Sequence, residues 1–547
     1  MELEVSSDLN LELAWRKSKR DLNHYMNSFA RIPHIIEILD SKEDEWLEDL
    51  SLRLDGSEDR VYTPRSPRII DVPKSDYHLR PAHILTVEDL VVYSALMLEL
   101  YDDIQDEISW SAGNRRFSHI LYENVSKDNR WQDFEREYWR EMQEEKIELS
   151  GEYKYVVETD ISGFYENIDI ERSISVIRQI TEEESVAHNL WELLDFWSQP
   201  RKRGLPQGYG ASDIIAEVYL DSIDQRLSNH GIDHVRFNDD FTIFTNNRDE
   251  AIDTQNLLEK WFRAKGLNMK TGKTAIREAN EAKEDYNEPE SVFQDIRDDL
   301  QTAPKKKAEE IPVSATPYGS GESEAVVQTD NTGNDNLESE VEGQEFEEDV
   351  LKRAYREYIQ EYEFDQLENH LFRYIINRLG NNDSSIAVDY CRQYIREGRS
   401  DVRRIIYNYY DDLSNKDEIA NDLAQDITEN NLRYPYHEYI LIRWFFESNF
   451  ESDAILHAAR QILNEHESSL LETRDYAIAI LGEHGDYSDW EQIELIYDGE
   501  FRPSSKSILI YSLRKFEPVH RSNFYDRVDI SDKITELSIG AAKSKSD

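Results

Sequence analysis

The sequence predicts an α+β domain in its first half and an all-α domain in its second. Three observations carry that expectation. Between Tyr155 and Thr245, short β-prone runs meet carboxylates and alternate with stretches of helical spacing. Between about Ala282 and Asp349 the composition turns polar and acidic. From Leu351 to about Val528 the apolar residues fall almost entirely at helical spacing. The expected units are 1–150, 151–281, 282–349, 350–530 and a tail at 531–547.

The first element with chemical content is YVVETDISGFYENID, Tyr155 to Asp169. Tyr155, Val156 and Val157 form a β-prone run expected as a central strand, and Asp160 stands where that run meets a turn. GLPQGYGAS, Gly204 to Ser212, follows. Its glycines and proline specify a tight loop where backbone can approach a ligand closely. Ile214, Ile215, Val218, Tyr219, Ile223 and Leu227 then recur at helical spacing, so a helix should pack beneath the sheet. In HVRFNDDFTIF, His234 to Phe244, Asp239 and Asp240 lie between two β-prone runs. That pattern predicts a hairpin whose acidic tip faces the strand end bearing Asp160. Adjacent acids alone mean little here, since Asp102-Asp103, Asp298-Asp299 and Asp411-Asp412 also occur and solvated turns are the ordinary reading. Asp239-Asp240 differs in its apolar flanks and in the two motifs that precede it.

In this order and spacing the three motifs resemble the catalytic domain of reverse transcriptases. The resemblance implies a right-hand fold, with fingers within 1–150 and a palm over 151–281. It implies Asp160, Asp239 and Asp240 as catalytic residues, and Asp160, Ile161, Asp239 and Asp240 as the metal set for two Mg²⁺ ions, with Mn²⁺ as a substitute. Nucleotidyl transfer places charge on the attacking 3′-oxygen and the leaving pyrophosphate, and two ions about 3.5–4 Å apart stabilise both. Mg²⁺ takes oxygen ligands and keeps waters, so a few carboxylates plus substrate phosphates suffice. Tyr165, five residues after Asp160, matches the aromatic that blocks the ribose 2′-hydroxyl, which implies a dNTP substrate. Phe164 is expected to pack under the palm, and Tyr165 to stand clear of that packing.

By the same resemblance Gln207 contacts the incoming nucleotide, while Gly208 and Ser212 lie along the template path. KGLNMKTGKT, Lys265 to Thr274, is similar to the fourth palm motif, in which Lys273 would help protonate the leaving group. VPKSDYHLRPAHILTVEDLVVYSAL, Val72 to Leu96, resembles the fingers of bacterial reverse transcriptases, and Lys74 and Arg80 match the pair that grips the triphosphate. Arginine suits phosphate through its planar fork, and lysine acts as a point charge. The run Arg201, Lys202, Arg203 abuts the pocket loop and is the best candidate for a template contact.

Charge sets a problem for that reading. The chain carries 63 basic and 114 acidic residues, a formal charge of −51, yet the implied ligand is a polyanion. Forty of the basic residues are arginine and 23 lysine. Strong acidity with arginine favoured points to a halophilic source. At molar salt the Debye length is about 3 Å, so repulsion beyond contact range nearly vanishes. Counterion release weakens too, so grip on nucleic acid must come from hydrogen bonds, stacking and metal-bridged phosphates.

Cys391 is the single cysteine, which rules out an intramolecular disulfide and a multi-cysteine zinc site. No apolar run approaches the ~18–20 residues of a membrane span, and the first residues are acidic, so a cytoplasmic protein without a leader is expected. Gly319 to Asp349 has too few apolar residues to offset ordering entropy and is expected as a disordered insert.

The helical runs beyond it include Glu357 to Leu379, His437 to Ser448, Ala454 to Glu465 and Thr473 to Gly485, separated by short polar turns. They resemble a HEAT-like repeat, which buries its faces by stacking neighbouring pairs. A palm with fingers followed by such a region is most similar to abortive-infection (Abi) and related defence-associated reverse transcriptases, in which helices replace the thumb. The implied partners are an RNA or DNA template, a DNA product and dNTPs. A noncoding RNA and a second copy of the chain are further candidates. A retron or retroelement enzyme is the alternative, and a helical-repeat scaffold with a vestigial palm the third. Arg514 and His520 have the loose spacing of a ribonuclease pair, but Pro518 between them predicts a loop.

Overall fold

The computed structural model describes residues 9–23, 32–56, 61–73, 78–121, 135–136, 139–286, 348–360, 369–398, 403–464, 470–500, 502–530 and 532–545. Lys74 and nearly all of the expected acidic insert lie outside the described residues.

Three helices come first: α1 (Leu11–Asn23), α2 (Ile35–Asp40) and α3 (Glu43–Leu54). Strands β1 (Arg68–Pro73) and β2 (Leu79–Ile84) then form an antiparallel hairpin in which Val72 lies opposite Arg80. Helix α4 (Val87–Glu99) starts at Thr86, whose hydroxyl accepts from the Asp89 N–H. Its sequence is apolar around nearly the whole circumference, so the helix is buried on every side. Helix α5 (Tyr101–Ile108), two-residue strands β3 (Ile120–Leu121) and β4 (Glu135–Arg136), and α6 (Trp139–Glu152) lead into the palm.

The palm is built from β5 (Tyr155–Thr159), α7 (Phe164–Asn167), α8 (Ile170–Ile180), α9 (Glu184–Trp197), α10 (Gly210–Asn229), β6 (His234–Phe237), β7 (Asp240–Thr245), α11 (Arg248–Ala264), β8 (Ala275–Glu278) and α12 (Ala279–Tyr286). The sheet order is β6-β7-β5-β8 with antiparallel neighbours, so β5 is central as its apolar run predicts. Side-chain alternation splits the sheet between two cores. Val157, Phe241 and Ile243 face Leu258 and Phe262 of α11. Val156, Val235 and Phe244 face Met142 and Leu149 of α6 and Ala279 and Ala282 of α12. The palm therefore runs past Ala282 to Tyr286 rather than ending where the composition changes.

Residues 348–355 are helical, and among the described residues eleven further α-helices run from Asn369–Asn381 to Lys533–Ser544. Pro435–Glu447, Asp453–Asn464 and Leu471–His484 fall where the apolar spacing places them. Most pack against the next helix but one: Pro435–Glu447 against Leu471–His484, that helix against Pro503–Ser512, and that against Lys533–Ser544. The loop expected between Arg514 and His520 shrinks to Phe516 and Glu517, because Pro518 opens the helix Pro518–Arg527. Proline is tolerated in a first helical turn, where its missing N–H would have no partner. Arg514 turns to Glu483 while His520 Nδ1 lies 3.4 Å from the Tyr487 hydroxyl, so the two residues make no pair.

The helical region closes back on the start of the chain. His34, at φ 62°, sits with its ring 5.0 Å from Phe446 and 4.7 Å from Tyr511, and its Nε2 lies 3.3 Å from Glu483. Lys545 Nζ reaches Glu37 at 2.6 Å. On β1, Arg68 donates two hydrogen bonds to Glu472, at 2.7 and 3.2 Å. No described helix is long and apolar enough to cross a membrane.

Candidate active site

Strand register assembles the site. β5 pairs with β7 so that Thr159 lies opposite Phe241, and one step further the register sets Asp160 against Asp240. Phe237 pairs with Asp240 across the β6–β7 hairpin, leaving Asn238 and Asp239 as its two-residue tip. Asn238 has φ 55°, a left-handed conformation that asparagine adopts more readily than most residues and that tight hairpin turns require. The chain after Asp160 is held from the other side. The Lys270 N–H donates to the Asp160 carbonyl at 2.8 Å, and the Ser162 N–H donates to Asn268 O at 2.8 Å. Ile161, with its side chain buried, bridges Met269. Its side chain carries no ligand atom, so it could contribute to a metal set only through its carbonyl.

Crowded acids define the electrostatics. Burial, and then the charges of Asp240 and Asp160, push the Asp239 carboxyl up to about 8. Asp240 is exposed at the start of β7, yet the protein packed around it, and then Asp160, raise its carboxyl, against Lys273, Lys146 and Lys270. Two of those lysines reach Asp160 Oδ2 directly, Lys273 Nζ at 3.1 Å and Lys270 Nζ at 3.3 Å. Lys146 of α6 lies with its ammonium 5.2 Å from the Tyr286 ring centre. Only Lys273 of these three is singled out by the sequence motif. Lys270 stands in the same run, while nothing in the local sequence marks Lys146.

The expected metal set is thus brought together as neighbours rather than as a finished cage. Among the described residues no three His, Cys, Asp or Glu side chains are grouped closely enough to hold an ion. Two ammonium groups, those of Lys273 and Lys270, lie against Asp160 instead. The donor set still fits a hard divalent cation. It offers oxygen alone, in carboxyls set beside one another at one end of the sheet.

The pocket loop folds onto α7. The Leu205 N–H donates to Tyr165 O and the Gly204 N–H to Ile168 O, both at 2.9 Å. Gly204 has φ 97°, and a Cβ there would come within 3.3 Å of Glu166 O. Gly208 is likewise left-handed at φ 95° and buried, and Gln207 beside it is half-buried. Two expectations need correction. Tyr165 does not stand clear of the packing: at 7% exposure it is buried beside Phe164, and its hydroxyl donates to Asp213 Oδ1 at 2.6 Å. Ser212 cannot touch a template as a surface residue would, because it is fully buried with its Oγ 3.0 Å from the Tyr93 hydroxyl.

Arg201, Lys202 and Arg203 are exposed, as a template contact requires. Lys202 Nζ lies 3.3 Å from Asp195, and Arg203 lies 3.9 Å from Asp169. Arg80 is half-buried on β2.

Residues 72–297 match the family described as reverse transcriptase (RNA-dependent DNA polymerase). That stretch, less than half of the chain, is a reverse transcriptase domain. Among solved structures, telomerase from Candida albicans in complex with a TWJ fragment of telomeric RNA aligns at 11% identity and a TM-score of 0.29. The alignment covers 67% of this chain and 62% of the telomerase chain, so the chain spans less than two thirds of that protein. No curated protein sequence matches.

Proposed function

We propose that the chain is an RNA-directed DNA polymerase that adds dNTPs to a 3′-hydroxyl. The observation that carries this reading is the strand register that sets Asp160 beside Asp239 and Asp240 at one end of the palm sheet, inside the matched domain. Asp160, Asp239 and Asp240, with the Ile161 carbonyl, would hold two divalent ions, Mg²⁺ or Mn²⁺. Bound there, the ions supply charge neutralisation at the attacking and leaving oxygens. Lys273 and Lys270, which reach Asp160, are the cations nearest the proposed metal set, and Lys273 would protonate the leaving group. Arg80 and Lys74 bind the triphosphate from the fingers. The Tyr165 ring edge excludes a 2′-hydroxyl, and its bond to Asp213 holds the ring in that orientation. Gln207 and Gly208 line the nucleotide pocket, and Arg201 to Arg203 take the template backbone.

The helical region supports placement with the defence-associated, abortive-infection type, in which HEAT-like helices stand in for a thumb. Its packing of most helices on the next but one and its contact with β1 suit that role. The acidic surface suits a halophilic cytoplasm, and an RNA, a DNA template or a second copy of the chain are the partners to test. Purified full-length protein in high KCl with Mg²⁺ or Mn²⁺ should incorporate labelled dNTPs on a primed RNA template. Asp239→Ala combined with Asp240→Ala should abolish incorporation, and a residual rate above a few per cent of wild type would sink the assignment.

A further inference from the structure

Behind the hairpin tip lies a buried polar network that the chemistry above does not use. Arg236 of β6 is fully buried, as are Asp224 and Glu217 of α10, Ser118 and Arg116. Arg236 Nε and Nη2 grip Asp224 at 2.6 to 3.0 Å, and Nη1 lies 2.7 Å from Glu217 Oε2. The same Nη1 donates to the Asn238 carbonyl at 3.0 Å. On the other side of that residue, the Asn238 N–H donates to Ser118 Oγ at 2.6 Å. The Ser118 hydroxyl in turn donates to Glu217 Oε1 at 2.8 Å. Arg116 Nη1 holds the Ser118 and His119 carbonyls at 3.1 and 2.8 Å, and its Nε lies 3.8 Å from Glu217.

Two arginines thus balance two carboxylates, and both peptide groups of Asn238 end on the network. Burial alone would raise the Asp224 carboxyl, but Arg236 and His234 hold it at about 2. A buried charge pair of this kind is weak evidence for stability, because desolvation offsets most of its attraction. What it does supply is position. Asn238 immediately precedes Asp239 at the two-residue tip, so a tip free to move would carry Asp239 and Asp240 away from Asp160.

We infer that Arg236, Glu217 and Ser118 are positioning residues, which clamp Asn238 from both sides and thereby fix where Asp239 and Asp240 meet Asp160. The inference rests on the polymerase reading and extends it to a layer that never touches substrate. Partners standing behind metal ligands typically matter by 10–100-fold in metal affinity or activity, and small misplacements of reacting groups cost similar factors.

The test uses full-length protein in high KCl and two variants. Ser118→Ala cuts the tether to the Asn238 N–H. Glu217→Gln keeps an acceptor for the Ser118 hydroxyl but removes the charge facing both arginines. Each is compared with wild type for kcat, for KM of dNTP, for its thermal melt, and for Mn²⁺ binding without nucleotide, read from loss of the free-ion paramagnetic resonance signal. The expected result is a roughly 10–100-fold fall in kcat and a matching weakening of Mn²⁺ binding, with dNTP KM unchanged and a cooperative melt retained. Ser118→Thr, which keeps the hydroxyl, should recover both. Unchanged kcat and Mn²⁺ binding in folded variants overturns the inference. Loss of the cooperative melt in both variants also overturns it, because the network would then only hold the fold. If wild type makes no DNA but Mn²⁺ binding still drops in the variants, the polymerase reading fails and the positioning role stands.

Discussion

Tyr165 offers the sharpest test of the nucleotide pocket, because its ring and its hydroxyl have separable jobs. The ring is 7% exposed and packs against Phe164, with ring centres 5.3 Å apart. Its hydroxyl donates to Asp213, itself almost buried on α10. Tyr165→Phe removes only the hydroxyl. A hydrogen bond to a charged group is worth about 1.5–3 kcal/mol net, and the buried carboxylate left with one donor fewer puts the cost in that range. Tyr165→Ala removes the ring as well, and aromatic-to-alanine changes in cores cost about 3–5 kcal/mol. Both fall within the ~5–15 kcal/mol of a typical domain, so each protein should fold, with Ala the more fragile. Urea denaturation of the full chain gives the two costs, and kcat/KM for dNTP against rNTP gives the selectivity. Phe should keep the discrimination and lose stability. Ala should lose stability and admit rNTPs, with discrimination falling at least about tenfold, or ~1.4 kcal/mol. A Phe variant as stable as wild type would refute the Asp213 tether. An active Ala variant with unchanged discrimination would make Tyr165 a packing residue and remove the gate.

Three further outcomes follow from the geometry. Because the Asp239 carboxyl stands at about 8 when no ion neutralises its neighbours, its contribution to stability is complete below the ordinary carboxylate range and is lost as pH rises through about 8. Calorimetry of metal-free protein should therefore show wild type losing stability relative to Asp239→Asn between pH 5 and 8, and Mn²⁺ binding near pH 7 should release a proton in wild type alone; a flat difference between the two melts contradicts the crowded-acid picture. Arg68→Ala removes the bridge from β1 to Glu472, and since Arg68 is partly exposed the loss should be near ~1 kcal/mol by denaturant titration; a larger effect would mean the contact carries more of the docking than its exposure allows. Cys391 is fully buried and burial pushes its thiol up, so a thiol reagent should leave the native protein unmodified and react at the rate of unfolding; fast labelling would show that its helix opens locally.

The parts of the molecule legible in the sequence are those set by neighbours in the chain. Tyr155 to Asp160 reads as a strand ending on an acid because alternation and turn chemistry are local, and His234 to Phe244 reads as a hairpin for the same reason. The later helices emerge from apolar spacing within single turns. What stays hidden depends on contacts between distant residues. Ser118 is 120 residues from Asn238, and neither looks unusual in its own segment. Ser212 follows a pocket motif yet turns inward, because α10 is buried along most of its length and Tyr93 waits on α4. Lys270 carries no motif mark as Lys273 does, yet the bridge between Ile161 and Met269 brings both to Asp160.

The closure of the helical region on α2, α3 and β1 sets an order of events during synthesis. His34 and Glu37 find their partners in Glu483, Tyr511 and Lys545, several hundred residues downstream. Until those residues leave the ribosome, α2 and α3 lack the part of their packing that Lys533–Ser544 supplies. Long-range contacts form late and slowly, and segments awaiting them are exposed to misassociation. The palm, whose strands all lie between Tyr155 and Glu278, has no such wait and can close its sheet first. A nascent chain would then carry a formed β6–β7 hairpin while its first helices still lack part of their backing. Ribosome-bound fragments ending before and after Lys533–Ser544 would therefore differ most in protease resistance around Ile35 to Leu54, close to the start of the chain and far from the point of truncation.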